Sequence, residues 1–184
     1  MKPVVLFVDL LEDFFAAPPL ALRRGSISAS VNELAALARR RGWPVVWVRQ
    51  EFEADLADAF LSMRDRGTRI TIKGTAGSGL ISELVREPGD IEIVKKRYSA
   101  FFGTGLEALL DAIGCSHAIV GGVNTHACVR TTAIDAYQRD YRVVLAVDTI
   151  ASYDERYHEE SLRYLQQAIG EAMTNEELRD VARA

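Results

Sequence analysis

Three side chains of this 184-residue chain, Asp9, Lys95 and Cys128, combine a nucleophile, an acid–base group and a cation. Each stands at or just past the end of an apolar run, and open parallel α/β sheets bind ligands outside the carboxyl ends of their strands. The strongest local pattern is G-G-V-N-T-H-A-C-V at 121–129, which leaves an apolar run and enters a segment that Thr125 can cap as a helix. Cys128 then falls in the first turn, where unpaired amides and the positive helix end favour an anion, and a nearby ammonium would lower a thiol pKa further. This setting predicts a thiolate accessible near neutral pH. Asp9 beside such a thiol could take the S–H proton and later protonate a leaving amine, with Lys95 between them holding and orienting both charges.

Plainer readings stand beside these. A lone cysteine serves as a small buried apolar side chain, and an aspartate at a strand end caps a turn or helix or binds a metal. Lys95 is followed by Lys96 and Arg97, a cluster that suits a solvated loop or an anion-binding patch, although the strand-end position favours Lys95 over Lys96. Phe14, Tyr98 and Phe101 are candidates to line a pocket, or else to pack in the core. Arg49 is a candidate to meet a substrate carboxylate, or else a solvated surface charge. His126 could cap, line the pocket or face solvent. Cys115, beside Gly114, has no assembled partners and reads as structural.

The elements that must position these groups follow from apolar periodicity. Strands are predicted at 3–8, 44–48, 90–95, 117–121 and 142–147, with a short one at 171–173. A helix over 26–41 carries Val31, Leu34, Ala35, Leu37 and Ala38 on one side and stops at Gly42. Thr104 is expected to cap a helix bearing Leu106, Leu109, Leu110 and Ile113, stopped by Gly114. Further helices are expected over 125–139 and 155–169, with another at the C-terminal end. The polar stretch from Glu51 to about Thr75 has no strong periodicity beyond a helix at 55–66 and reads as an excursion or lid. Repeated strand and helix units imply right-handed crossovers. The expected fold is an α/β, three-layer α/β/α sandwich with a central, mainly parallel sheet, in one domain over 1–184.

Composition narrows the function classes. A formal charge of −4 and a 26% charged fraction give no basic field to draw nucleic acid or an anionic membrane. No signal-like start and no membrane-length apolar run is present, so a cytoplasmic protein is expected. Two cysteines are too few for a disulfide framework.

With these residues in place, the chain resembles the isochorismatase-like cysteine hydrolases, which include nicotinamidases, N-carbamoylsarcosine and ureidoacrylate amidohydrolases, and isochorismatases. V-D-L-L-E-D-F-F at 8–15, V-K-K-R-Y-S-A-F at 94–101 and G-V-N-T-H-A-C-V at 122–129 are similar to its opening, lysine and nucleophile motifs, in the same order. A-I-D-A-Y at 133–137 and V-D-T-I-A-S at 147–152 also look like family segments. The resemblance implies a catalytic Asp9, Lys95 and Cys128, and a cis peptide at Val123–Asn124 that turns the Asn124 and Cys128 amides into an oxyanion hole. It further implies a small amide or ureido substrate cleaved through a Cys thioester, and a homo-oligomer, dimer or tetramer. Leu11 and Glu12 replace a frequent Gln-Asn pair. Nicotinamidases place an Asp-x-His pair and a further histidine after the second strand. Here that region reads W-V-R-Q-E-F-E-A-D, and the histidines are His117, His126 and His158, so neither a metal nor another cofactor is expected. Typical isochorismatases lack the cysteine. Vinyl-ether hydrolysis and noncatalytic small-molecule binding remain the alternatives.

Overall fold

The structure, a computed structural model, describes residues 2–181. Six strands, β1 (Pro3–Val8), β2 (Val45–Gln50), β3 (Ile91–Lys95), β4 (His117–Val123), β5 (Arg142–Ala151) and β6 (Gly170–Met173), form one sheet in the order β3-β2-β1-β4-β5-β6. Every pairing is parallel. The strand order reverses direction beside β1, which places a topological switch point between β1 and β4.

Strand alternation divides β1 between two cores. Val4, Leu6 and Val8 pack on one face with Leu106, Leu110, Val129 and Leu165, while Val5 and Phe7 pack on the other with Val31, Leu34 and Ala38. The first face is covered by α3 (Leu106–Ile113), α4 (Arg130–Tyr137) and α5 (Glu155–Ala168). The second is covered by α1 (Leu20–Arg40) and α6 (Asn175–Val181). The outcome is the three-layer α/β/α arrangement read from the sequence. Helix α2 (Leu61–Arg66) lies apart in the excursion between β2 and β3. Among the described residues no helix is long and apolar enough to cross a membrane.

Several boundaries differ from expectation for local reasons. Helix α1 starts at Leu20, six residues before the predicted start, because Pro19 can precede a helix at no hydrogen-bond cost. Gly25, Ser26 and Ser28 obscured its first turns; the two serine hydroxyls donate to Arg23 and Arg24 carbonyls within the helix. The helix expected over 55–66 shrinks to α2: Asp55 accepts from the Ala57 amide in a local turn, and Leu56 takes φ 63°, outside the helical region. Thr104 does accept from the Leu106 amide at 3.2 Å. Thr125 is no cap. Its hydroxyl pairs with His158 Nδ1 at 2.7 Å, and residues 125–129 form a π-helical turn that continues as α4. Strand β5 runs to Ala151, four residues beyond the predicted end, across a register shift opposite Val120 and Gly122.

Candidate active site

The site is assembled where β1, β3 and β4 end. Asp9 follows Val8 with φ 55°, a left-handed conformation that costs a non-glycine residue energy and points to enforcement by its surroundings. Its amide donates to Val48 O at 2.8 Å and its Oδ1 accepts from the Gln50 amide at 2.7 Å, so the end of β2 fixes both backbone and carboxylate. Its Oδ2 lies 2.6 Å from Lys95 Nζ. Lys95 ends β3 opposite Gln50, two strands from β1, and its four-carbon stem spans the intervening strand end. Nζ also donates to Arg97 O at 3.0 Å and contacts Cys128 Sγ at 3.4 Å. Asp9 and Lys95 are both 0% exposed.

Cys128 comes from the π-helical turn after β4 and is 3% exposed. The peptide Val123–Asn124 is cis. The glycine pair ahead of it lets β4 approach β1: Gly122 has φ 119°, and a Cβ there would meet Val8 O at 2.0 Å. A side chain at this position would push the Cys128 turn away from Asp9.

The electrostatics revise one expectation. Burial pushes the Cys128 thiol strongly upward, the Asp9 carboxylate adds to the rise, and Lys95 only partly opposes it. The anticipated lowering by a helix end and an ammonium is outweighed because the sulfur is dry and faces an anion. The resting group is therefore a thiol. Desolvation works to lower the Lys95 pKa, but the neighbouring Asp9 and Cys128 more than offset it and leave the ammonium favoured.

Above the sulfur opens a cavity of about 430 Å³ lined by Phe14, Tyr98, Asn124, His126 and Cys128 together with Gln50, Phe60, Ser62, Met63, Ile70, Ala127, Tyr153 and Tyr157. Burial lowers the pKa of His126, with Asp154 opposing, and its ring nitrogens meet Ser152 Oγ at 2.7 Å and Tyr153 OH at 3.2 Å. Two of the predicted side chains lie elsewhere. Arg49 pairs with Glu92 at 2.9 Å and Glu51 at 3.3 Å and donates to Ser78 O, because on β2 it points to the side opposite its neighbour Gln50. Phe101 is core: it stacks on Tyr141 and carries the Arg139 guanidinium at 4.8 Å.

Sequence reasoning missed Gln50, Phe60, Met63, Ile70, Tyr153 and Tyr157. Parity along β2 was the available signal for Gln50, since it alternates with Arg49. Phe60, Met63 and Ile70 belong to the excursion, whose folding had no periodic signature. Lys96 and Arg97, read as a solvated cluster or anion patch, fasten that excursion: Lys96 Nζ reaches Asp58 at 2.7 Å and Glu51 O at 2.6 Å, and Arg97 donates to Asp58 O and lies 5.1 Å over Phe60.

The donors after β2 do not suit a metal. Glu51 is engaged by Arg49, Phe52 is fully buried, and Glu53 pairs with Lys73 at 2.8 Å. Among the described residues no cluster of three His, Cys, Asp or Glu side chains gathers.

A buried aspartate, lysine and cysteine thus meet at the switch point of a doubly wound parallel sheet, an α/β architecture that binds ligands there. More narrowly, the chain belongs to the isochorismatase family, whose domain model matches residues 3–177. It is 34% identical over 162 residues to a probable inactive nicotinamidase of Arabidopsis thaliana, covering 84% of this chain and 83% of that one. It is 31% identical over 163 residues to the ureidoacrylate amidohydrolase RutB of Methylorubrum extorquens, covering 79% of this chain and 66% of the relative. An isochorismatase family protein from Desulfovibrio vulgaris superposes with a TM-score of 0.88 at 28% identity, covering 100% of this chain and 99% of that one.

Proposed function

We propose that the protein hydrolyses a C–N bond, amide or ureido, of a small metabolite through a Cys128 thioester. The observation carrying this reading is the contact of Lys95 Nζ with both Asp9 Oδ2 at 2.6 Å and Cys128 Sγ at 3.4 Å, buried beneath the cavity that Cys128 lines. The S–H proton passes to Asp9 as sulfur attacks the substrate carbonyl carbon. The Asn124 and Cys128 amides serve as donors to the tetrahedral oxyanion. Collapse breaks the C–N bond, and the Asp9 proton leaves with the amine. Water, deprotonated by Asp9, then attacks the thioester, and its proton returns through Asp9 to the departing thiolate. Lys95 pairs with the Asp9 carboxylate at 2.6 Å and compensates the charge that moves between oxygen and sulfur.

The thiol's raised pKa supports this order of events, since proton removal is coupled to attack instead of preceding it. One observation favours a noncatalytic reading, the relative named as a probable inactive nicotinamidase. Intact-protein mass spectrometry during incubation with a panel of small amides separates the two. An acyl adduct on Cys128 that decays with product formation supports the thioester route. Turnover with no adduct, retained in Cys128→Ala, supports non-covalent hydrolysis, and binding without turnover supports the noncatalytic reading.

A further inference from the structure

We propose that Asp13 is the positioning residue of the cavity wall, its carboxylate holding Phe14 and Ile70 in the places that set how tightly an amide seats above Cys128. The proposal rests on the reading of the Cys128 cavity as an amide site and adds the group that governs its fit.

Phe14 and Ile70 both line the cavity, yet they come from distant parts of the chain. Phe14 lies in the short 3₁₀ turn after β1, and Ile70 lies in the excursion between β2 and β3. Each is the chain neighbour of one member of a single contact, in which Asp13 Oδ2 accepts from the Thr71 amide at 2.6 Å. Thr71 is fully buried and takes φ 52°, a left-handed conformation that a β-branched residue keeps only when its surroundings enforce it. Its hydroxyl is buried without a hydrogen-bond partner, so the main chain carries the restraint. The Thr71 carbonyl accepts from the Phe52 amide at 2.9 Å while the Thr71 amide donates to Asp13, which fixes the peptides on both sides of the strained residue. Carboxylate acceptors make the stronger bonds of this kind.

The seat of the carboxylate is shaped from the other side by the turn Ala76–Ser78. A Cβ on Gly77 would fall 2.2 Å from Asp13 Oδ1 and 2.3 Å from its Cγ, so a side chain there would displace the carboxylate. Beyond that turn, the Glu12 amide donates to Gly79 O at 2.9 Å and the Ile81 amide to Leu10 O at 3.0 Å. Asp13 carries this hold of the opening loop back to Thr71. Without its acceptor the Thr71 amide would be buried and unmatched, and Phe14 and Ile70 would lose their common anchor. Asp9, Lys95 and Cys128 are joined by other bonds, so the loss falls on substrate seating and spares the bond-breaking step.

The test compares Asp13→Ala, Asp13→Asn and Gly77→Ala in the whole chain. Hydrogen–deuterium exchange over residues 68–73 should be at least about tenfold faster in Asp13→Ala and Gly77→Ala, while β1 and β4 keep their protection. Asp13→Asn retains an oxygen acceptor and should stay near the unmodified protein. Steady-state kinetics on acetamide, benzamide, maleamate and ureidoacrylate should show, for each one hydrolysed, KM raised about three- to tenfold in both alanine variants and kcat changed less than about twofold. A merely structural carboxylate would lower Tm and leave the KM of the folded enzyme unmoved. Unchanged exchange over 68–73 in Asp13→Ala, an unmoved KM, or a loss confined to kcat overturns the proposal. Failure of the amide reading shows up separately, as no turnover of any of the four by the unmodified protein, and the exchange comparison then decides whether Asp13 holds the wall.

Discussion

The strand ends and the excursion between β2 and β3 build the same pocket by different means. Asp9, Lys95 and Cys128 come from secondary structure locked into the sheet, two of them with no exposure at all. Phe60, Met63 and Ile70 come from a segment whose longest helix among the described residues is the six-residue α2 and whose small core is Phe52, Leu56, Ala59 and Ile72. That segment is tied down by side chains: Asp13 Oδ2 accepts from the Thr71 amide at 2.6 Å, while Lys96 and Arg97 hold its other end. The contrast teaches that the proposed bond-breaking groups rest on sheet pairing, whereas part of the cavity wall rests on side-chain ties and can vary without disturbing them.

The sharpest way to break the comparison is at the nucleophile. Cys128→Ala and Cys128→Ser should each lower kcat by at least about a thousandfold on every amide tested, with little change in Tm, measured by steady-state kinetics and calorimetry. Near-normal turnover in Cys128→Ala would remove the covalent route.

Next in size is the buried ion pair. Asp9→Asn keeps an acceptor for the Gln50 amide but leaves the Lys95 ammonium without its counter-charge, a loss of about 3–5 kcal/mol. At about 2–4 °C per kcal/mol for a chain of this size, Tm should fall by about 6–20 °C. The double variant Asp9→Asn/Lys95→Met should be more stable than the two single losses sum to, because no lone charge remains. Strict additivity would show that the pair is not coupled.

A smaller effect is expected from the excursion. Phe60→Ala should lower kcat/KM about tenfold on a favoured amide, chiefly through KM, and change the ranking among amides; an unchanged ranking would deny the excursion its selecting role. The site's core should keep its chemistry.

The smallest effect is a pH slope from the two histidines at the turn that carries Cys128. Burial lowers the His158 and His126 pKa values from the ordinary 6.5, so as pH falls the unfolded chain takes protons first. Their contribution to stability is present above about pH 6.5 and is lost as pH falls toward the folded values. Melting curves between about pH 7.5 and about pH 5.5 should show this, and His158→Gln should flatten the slope. An unaltered slope would place the titration elsewhere.

The same contrast explains what could be read in advance. Strands β1, β2, β4 and β5 were recognisable because a strand buried on both faces is an apolar run, and Asp9, Lys95 and Cys128 were recognisable because they end or follow strands. Arg49 was misplaced and Gln50 overlooked by one residue of parity, and in a strand that step exchanges the pocket for the opposite face. Phe101, read as either pocket wall or core packing, takes the core place, with its ring stacked on Tyr141. The thiol's state was misjudged because a helix-end argument ignores how dry the sulfur is. The excursion's wall was illegible: its order comes from contacts such as Lys96 with Asp58, which have no period.

The raised pKa of the buried Cys128 bears on how the protein meets small electrophiles and oxidants. Peroxide and haloacetamides attack thiolates, and burial beside the Asp9 carboxylate favours the protonated thiol here. The unoccupied protein should therefore survive oxidising conditions that inactivate low-pKa cysteine enzymes. Covalent labelling should succeed with reagents that carry an amide-like carbonyl into the aromatic chamber, where the proposed route couples attack by sulfur to proton transfer to Asp9.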